Sequence, residues 1–143
     1  MSSGPDALLS PAAGVRVEIN RPDVVAEVTE AFVAYEQALV DGDVAAMTDA
    51  FWESEFTVRY GIDEVLYGAD EIAAWRGSAP PIPPGRRLGP TVVATFGTDF
   101  ACVSTEFRNA GNTGRFGRQS QTWVRMPAGW QVVAAHVSLQ DEA

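Results

Sequence analysis

The spacing of apolar residues changes near residue 88, and this change restricts the fold more than any other feature of the sequence. Before it, apolar residues recur on one helical stripe: Val28, Phe32, Tyr35 and Leu39. After it, turn residues separate four segments of β-like composition: residues 91–96, 101–108, 116–125 and 130–139. Helices followed by successive hairpins indicate an α+β domain, because a nucleotide-binding sheet would alternate strands with helices.

The first half of the chain predicts its helices from local signals. Asn20 is expected to cap the first helix, which opens with Pro22 and Asp23 and ends at Gly42. A second helix, a strand and a third helix are expected over residues 43–52, 55–60 and 69–75 or a little beyond. Four prolines within residues 78–85 prevent a helix or a strand ladder from continuing there.

The length and composition favour one domain with a real core. The chain has 143 residues, of which 46% are hydrophobic. Residues 1–17 are expected to form a flexible N-terminal extension, and residues 18–143 the domain. A curved antiparallel sheet that wraps helices leaves a cavity at the mouth of the resulting cone, where a few inward polar groups could bind a ligand.

The charged residues and the rare residue types exclude several function classes. The formal net charge is −9 and all ten cationic side chains are arginines, so we expect no nucleic-acid partner, no membrane partner and no lysine Schiff base. With one cysteine and one histidine, the chain has no intrachain disulfide and no zinc-type ligand cluster, and we expect no cofactor. The absence of a signal-like apolar run predicts a cytoplasmic protein.

Tyr35 and Arg59 are the first two candidates for a site. Tyr35 lies on the apolar stripe of the first helix, so its hydroxyl must meet either a backbone carbonyl in the core or a group in a pocket. Arg59 alternates with Phe56, Val58 and Tyr60. It is a surface arginine if that apolar face packs on the core, and an anion-binding group if it points into the cone.

Arg76, Arg118 and His136 are further candidates, each with a structural alternative. Arg76 ends the third helix, where it could cap the dipole or line the pocket. Arg118 could bind substrate or pair across strands with Glu106. His136 shares a strand face with apolar neighbours, and it is either a core histidine or a base in the pocket.

Four ordered strings of sequence resemble a known family: AFVAYEQAL, FTVRYGIDEVLYGADEIAAWR, STEF and GRQSQTWVRMPAGWQVVAAHVS. They are similar to the AtzH-like proteins, which include the HpxZ proteins of oxalurate utilisation, from about residue 19 to residue 139. This resemblance implies the cone-shaped fold of the nuclear transport factor 2 (SnoaL-like) superfamily. It also implies a homodimer formed through the sheet and a possible amidase-family partner.

The resemblance further implies an activity. A role in this family is the conversion of 1,3-dicarboxyurea to allophanate in nitrogen catabolism, and the family's candidate catalytic pair falls on Tyr35 and Arg59. Arg59 would hold one carboxylate of a small anionic substrate, and Tyr35 would deliver a proton as a bond to nitrogen breaks. Arg76, Arg118 and His136 would then be substrate-binding candidates for the other carboxylate.

Three functions remain open at this level. The first is cofactor-independent hydrolysis or decarboxylation of a small carboxylated urea, or of a related compound of oxalurate breakdown. The second is a non-catalytic accessory or binding subunit for a partner amidase. The third is a SnoaL-like isomerase or cyclase, which needs a base in an apolar pocket and for which His136 is the best candidate.

Overall fold

The computed structural model describes residues 16–111 and 113–142, which form three helices and one six-stranded sheet. The helices are α1 (Pro22–Asp41), α2 (Val44–Asp49) and α3 (Ala69–Ser78). The strands are β1 (Val58–Tyr60), β2 (Val65–Tyr67), β3 (Arg87–Phe96), β4 (Phe100–Arg108), β5 (Arg115–Met126) and β6 (Gly129–Asp141). The α+β class is therefore confirmed, while the extension expected over residues 1–17 lies outside the described residues except for its last two positions.

Helix α1 is the long element against which the sheet packs. Its buried side carries the predicted stripe, extended by one turn at the N-terminal end: Val24, Val28, Phe32, Tyr35 and Leu39. Full burial of such a side chain contributes about 1.5–3 kcal/mol. The helix ends at Gly42, whose φ of 68° is the left-handed conformation that glycine adopts without strain.

The strands lie in the order β2-β1-β6-β5-β4-β3. The long hairpins β3–β4, β4–β5 and β5–β6 are antiparallel, as predicted. Strand β1 pairs antiparallel with β2 but parallel with β6, so the sheet is mixed at one end. The parallel pairing places Arg59 beside Ala135 and brings the first half of the chain onto the edge of the meander.

The inner face of the sheet supplies the second half of the core. Trp123, Val103 and Val132 are almost fully buried there against α1. Strand β6 contains an irregularity at which Thr122 pairs with Ala134 and Trp123 pairs with Val132, so that Val133 has no partner in the ladder. This is a β-bulge, and it reverses the inward and outward alternation of all later residues in the strand.

The structure differs from the sequence predictions at several boundaries. Asn20 does not cap α1, because its side-chain oxygen accepts a hydrogen bond from the Thr95 backbone N–H over 2.8 Å and ties the chain to β3. Helix α2 is shorter than predicted, and strand β2 was not predicted. None of the described helices is long and apolar enough to cross a membrane.

Candidate functional site

A cavity of about 530 Å³ opens between α1, α3, the proline-rich segment and the inner face of the sheet. Part of its wall is apolar and includes Leu39, Met47, Phe51 and Ile82. Polar side chains also line it: Tyr35, Arg59, Glu64, Arg76, Arg86, Asn109, Gln119 and Gln121. Asp63 lies exposed at its rim. An apolar concave wall with a few converging polar groups is the usual form of a small-molecule site.

Tyr35 and Arg76 form the central contact of this cavity. The Arg76 guanidinium donates a hydrogen bond through Nη2 to the Tyr35 hydroxyl oxygen over 2.7 Å, and both residues are buried. Among the described residues, Arg76 has no carboxylate partner within an ion-pair distance. None of these residues accepts the phenolic hydrogen of Tyr35. The contact therefore leaves an unpaired cation and an unused O–H donor for a ligand.

Burial raises the pKa of Tyr35 above the ordinary value of 10.0 for a phenol. The Arg76 and Arg59 guanidinium groups oppose this effect, because each stabilises the phenolate, but burial is the larger cause. Tyr35 is consequently a neutral phenol at physiological pH. It can donate a proton and does not act as a base.

Arg59 lies next to this pair and is held by Glu64. Its Nη1 donates to Glu64 Oε2 over 3.1 Å, and its guanidinium carbon lies 4.2 Å from the centre of the Trp75 ring. Burial, followed by the nearby Arg76 cation, lowers the pKa of Arg59 below the usual arginine value. An arginine still keeps its charge at neutral pH in such a setting.

Gly61 makes room for the Arg59–Glu64 ion pair. A Cβ atom at Gly61 would lie 2.2 Å from Glu64 Oε2 and 2.6 Å from Arg59 Nη1, distances that no real contact shows. The pair therefore packs directly over the backbone at the end of β1. Trp75 completes the arrangement, since the Arg76 guanidinium also lies near its ring, at 4.9 Å.

A second charged group, formed by Arg86, Glu36 and Gln119, lines another part of the cavity. Arg86 donates to Glu36 Oε1 through Nε over 2.9 Å and to Glu36 Oε2 through Nη2 over 3.3 Å. Gln119 donates to Glu36 Oε2 over 3.0 Å and accepts from Arg86 over 3.2 Å. The Arg86 guanidinium also lies 4.1 Å from the centre of the Phe107 ring, so its position is fixed from several sides.

The structure brings Tyr35, Arg59 and Arg76 together. The interpretation of Arg59 as a surface residue is wrong, because its side chain is buried in the cavity while Tyr60, the next residue of the strand, is exposed. Phe56 is also exposed, in the turn before the strand. Arg76 lines the cavity, and its guanidinium donates a hydrogen bond to Tyr35 and not to a helix carbonyl. For Tyr35, the alternative of a backbone carbonyl partner is likewise replaced by the Arg76 contact.

Arg118 is not brought to the cavity. It lies opposite Glu106 in the β4–β5 register, as expected, but its guanidinium turns to the other neighbouring strand. There it donates to Ser138 Oγ over 3.1 Å and to Gln140 Oε1 over 2.9 Å, on the exposed face of the sheet. The predicted pairing with Glu106 is therefore wrong, and Arg118 does not line the described cavity.

His136 also lies on the outer face, and the prediction of a core position is wrong. Strict alternation from Val132 would point His136 inward, but the bulge at Val133 reverses the alternation, so Ala135 is buried and His136 is exposed. Its ring contacts the Tyr60 ring edge-on at 5.7 Å between centroids. No imidazole base therefore reaches the cavity from this strand.

Sequence reasoning missed Glu36, Arg86 and Gln119. The strand pattern could have indicated the direction of Gln119. A tryptophan such as Trp123 is expected to face the core. Alternation along the strand then places Gln121, Gln119 and Gly117 on the same inner face. Polar residues at inward positions of a strand point to a polar cavity. Arg86 follows the proline-rich segment and carries no periodic pattern, so nothing local indicated its direction.

The described residues contain no cluster of histidine, cysteine, aspartate and glutamate side chains that could hold a metal ion.

A search of the curated proteins found no match. Among solved structures, the chain is similar to a cystatin-like fold protein from Burkholderia xenovorans LB400, with 55% identity and a TM-score of 0.85, covering 89% of this chain and 99% of that one.

Two further structures extend the comparison. A DUF3225-family protein from Pectobacterium atrosepticum SCRI1043 is 52% identical, with a TM-score of 0.83, covering 86% of this chain and 95% of that one. An NTF2-like protein from Pseudomonas putida KT2440 is 18% identical, with a TM-score of 0.68 over 82% of this chain and 87% of that one, and it shows the fold alone. The AtzH-like family profile matches residues 17–143. This match, together with an NTF2-like fold around a polar cavity, shows that the chain belongs to the AtzH-like family.

Proposed function

We propose that the protein binds a small N-carboxylated urea in this cavity and removes one carboxyl group, converting 1,3-dicarboxyurea to allophanate without a cofactor. The observation that carries the proposal is the contact between Arg76 and Tyr35, at 2.7 Å. It combines an unpaired buried cation with a neutral O–H donor in a space of small-molecule size. These two groups fit a ligand that has a carboxylate at Arg76 and a basic nitrogen within reach of the Tyr35 hydroxyl.

Binding would use the guanidinium groups of Arg76 and Arg59. Arg76 offers the donors that it does not use on Tyr35, and a buried guanidinium forms short, strong hydrogen bonds with a carboxylate. Arg59 adds a second cation, although Glu64 already balances part of its charge. Trp75 lies beside both groups and limits their movement.

The chemistry requires one proton and no further reactant. When the bond between nitrogen and the carboxyl carbon breaks, its electron pair stays on nitrogen and carbon dioxide leaves. Tyr35 would give its proton to that nitrogen, and solvent would return a proton to the phenolate afterwards. The balance is 1,3-dicarboxyurea dianion plus H⁺ giving allophanate plus CO₂. The cations of Arg76 and Arg59 would stabilise the transient phenolate.

Decarboxylation suits the cavity better than hydrolysis does. Hydrolysis needs a base that activates water, but Glu36 and Glu64 are both held in ion pairs with arginines. Asp63 is exposed at the rim, and His136 is on the outer face of the sheet. A neutral tyrosine that donates a proton serves the loss of CO₂ directly.

The test is turnover of enzymatically generated 1,3-dicarboxyurea, with allophanate, carbon dioxide and ammonia followed together. Decarboxylation predicts one CO₂ per allophanate and no ammonia. Tyr35→Phe and Arg59→Met should slow turnover by about 100-fold or more, in the range of general acid catalysis. Arg118→Gln is the matched control and should keep the wild-type rate, because Arg118 lies outside the cavity.

A different set of results would overturn the proposal. Equal rates for the folded wild type, for Tyr35→Phe and for the buffer alone would exclude catalysis on this substrate. Ammonia released in place of allophanate would indicate hydrolysis at the urea carbonyl, and bicarbonate instead of CO₂ as the first product would indicate hydrolysis of the bond to the carboxyl group. Co-purification with an amidase and no turnover by the chain alone would favour the role of an accessory subunit.

A further inference from the structure

The ion pair between Glu36 and Arg86 gives the cavity two ends of different charge. At one end, Arg59 pairs with the part-buried carboxylate of Glu64 while Arg76 has no carboxylate partner among the described residues, so a positive charge remains. At the other end, Glu36 cancels the charge of Arg86 through both of its oxygens. Within the described residues, the second end offers N–H donors with no excess of charge.

Arg86 still has donors for a ligand. Its Nε and Nη2 groups are used on Glu36 and Gln119, whereas no described residue accepts from Nη1. Arg86 lines the cavity, although its side chain is only 5% exposed. A ligand carboxylate at this end would accept hydrogen bonds from Arg86 and would also meet the negative charge of Glu36 behind it.

This arrangement matches the way charge moves during decarboxylation. The dianionic substrate has a carboxylate at each end, and the carboxylate that leaves becomes uncharged CO₂. A site accelerates such a step when it binds the charge distribution of the transition state better than that of the substrate. A cationic end should therefore hold the carboxylate that stays, and a charge-balanced end should hold the one that leaves.

We propose that Glu36 is a positioning residue that acts through Arg86, and that the Glu36–Arg86–Gln119 end of the cavity receives the carboxylate that is lost. Glu36 fixes Arg86 and cancels its charge, so the departing carboxylate is oriented without being held tightly. This inference rests on the proposed function. It assigns the other end, with Arg76, to the carboxylate that remains in the product.

Binding of glutarate and glutaramate, measured by calorimetry, tests the charge difference without turnover. Both probes have the same chain length between their ends as 1,3-dicarboxyurea, and both have a carboxylate at the first end. The second end is a carboxylate in glutarate and an amide in glutaramate. The wild type should bind glutaramate at least as tightly as glutarate. Glu36→Gln should shift the ratio toward glutarate by about tenfold, because the charge of Arg86 is then no longer cancelled. Glu36→Asp, which keeps the charge, should retain the wild-type ratio.

Two outcomes would overturn the inference: a wild type that prefers glutarate by about tenfold or more, or a Glu36→Gln variant with an unchanged ratio. Should Glu36→Gln fail to fold, Arg86→Gln gives the opposite test, since it exposes the Glu36 charge and should weaken glutarate binding much more than glutaramate binding. An equal loss for both probes would contradict the assignment.

If 1,3-dicarboxyurea is a substrate, its steady-state kinetics provide a second readout. Glu36→Gln should lower KM and kcat together, because the substrate is held more tightly and its carboxylate leaves less readily. A purely structural role would raise KM or leave it unchanged. If 1,3-dicarboxyurea is not a substrate, the proposed function fails, and the probe ratios still decide the charge difference between the two ends.

Discussion

The Arg76 guanidinium and the Tyr35 hydroxyl, 41 positions apart in the chain, meet over 2.7 Å and join α3 to α1 inside the cavity. This contact does two things at once. It gives the buried Tyr35 hydroxyl oxygen a hydrogen-bond donor, and it places a cation where the Tyr35 phenolate would form. We expect it to contribute to both stability and turnover.

Removing the Tyr35 hydroxyl should therefore lower the free energy of unfolding. Tyr35→Phe leaves a donor of buried Arg76 without a partner, which costs about 1–3 kcal/mol. Urea denaturation of Tyr35→Phe, Arg76→Met and the double variant measures the coupling, which we expect to be about 0.5–3 kcal/mol. Strictly additive losses would show that the contact does not stabilise the fold.

The raised pKa of Tyr35 predicts a loss of stability in alkali. The unfolded chain releases this proton near pH 10.0, whereas the folded chain keeps it to higher pH. The stabilisation is thus fully present below pH 10.0 and is lost as the pH rises through the higher folded-state pKa. Wild type should lose more stability than Tyr35→Phe over this window.

Absorbance of tyrosinate gives an independent measurement of the same shift. The chain has three tyrosines, so subtracting the titration of Tyr35→Phe from that of the wild type isolates Tyr35. We expect the isolated transition to lie above pH 10.0 in the folded protein. A transition at or below this pH would contradict the burial argument.

Gly117 should be intolerant of a side chain. It lies opposite Phe107 in the β4–β5 ladder, and a Cβ atom there would lie 2.0 Å from Phe107 Cζ. Gly117→Ala should lower the free energy of unfolding by about 1–3 kcal/mol, as overpacking does. It should also weaken glutarate binding, because Arg86 packs on the Phe107 ring.

The matched control is Gly77→Ala in α3, where a Cβ atom meets nothing within 4 Å. Alanine is the better helix former, so this change should leave stability unchanged or raise it by up to about 1 kcal/mol. Equal effects of the two substitutions in urea denaturation would show that the Phe107 contact is not the cause.

We propose that the protein forms a homodimer through the outer face of the sheet. The central rows of this face carry small or uncharged side chains: Val92, Ala94, Cys102, Ser104, Ser120, Thr122 and Ala134. Light scattering should give about twice the chain mass of 15.3 kDa. Ser104→Arg should produce monomers, whereas Val33→Arg on the exposed side of α1 should not. A wild-type monomer would refute this proposal.

Much of the fold follows from local patterns. The stripe on α1 repeats at helical spacing and is buried as predicted, because one long helix has only one face that can meet the sheet. The three hairpins follow from turn residues between alternating segments. The buried position of Tyr35 was predicted for the same reason.

The direction of the charged side chains was harder to predict. Alternation says which residues share a face of a strand, but not which face meets the helices. For Arg59 the choice of face came from the parallel pairing of β1 with β6, which places Arg59 beside buried Ala135 and Tyr60 beside exposed His136. For His136 the choice of face came from a single β-bulge at Val133.

The sequence by itself determined the α+β class, the helical stripe and the hairpins, since each depends on near neighbours along the chain. Composition alone excluded a lysine Schiff base, because the chain has no lysine. Only the tertiary structure decided the site. Arg76 meets Tyr35 across 41 positions, and Gln119 meets Glu36 across 83. Contacts at such separations depend on how the sheet folds over α1, on register and on one bulge, and no local pattern encodes them.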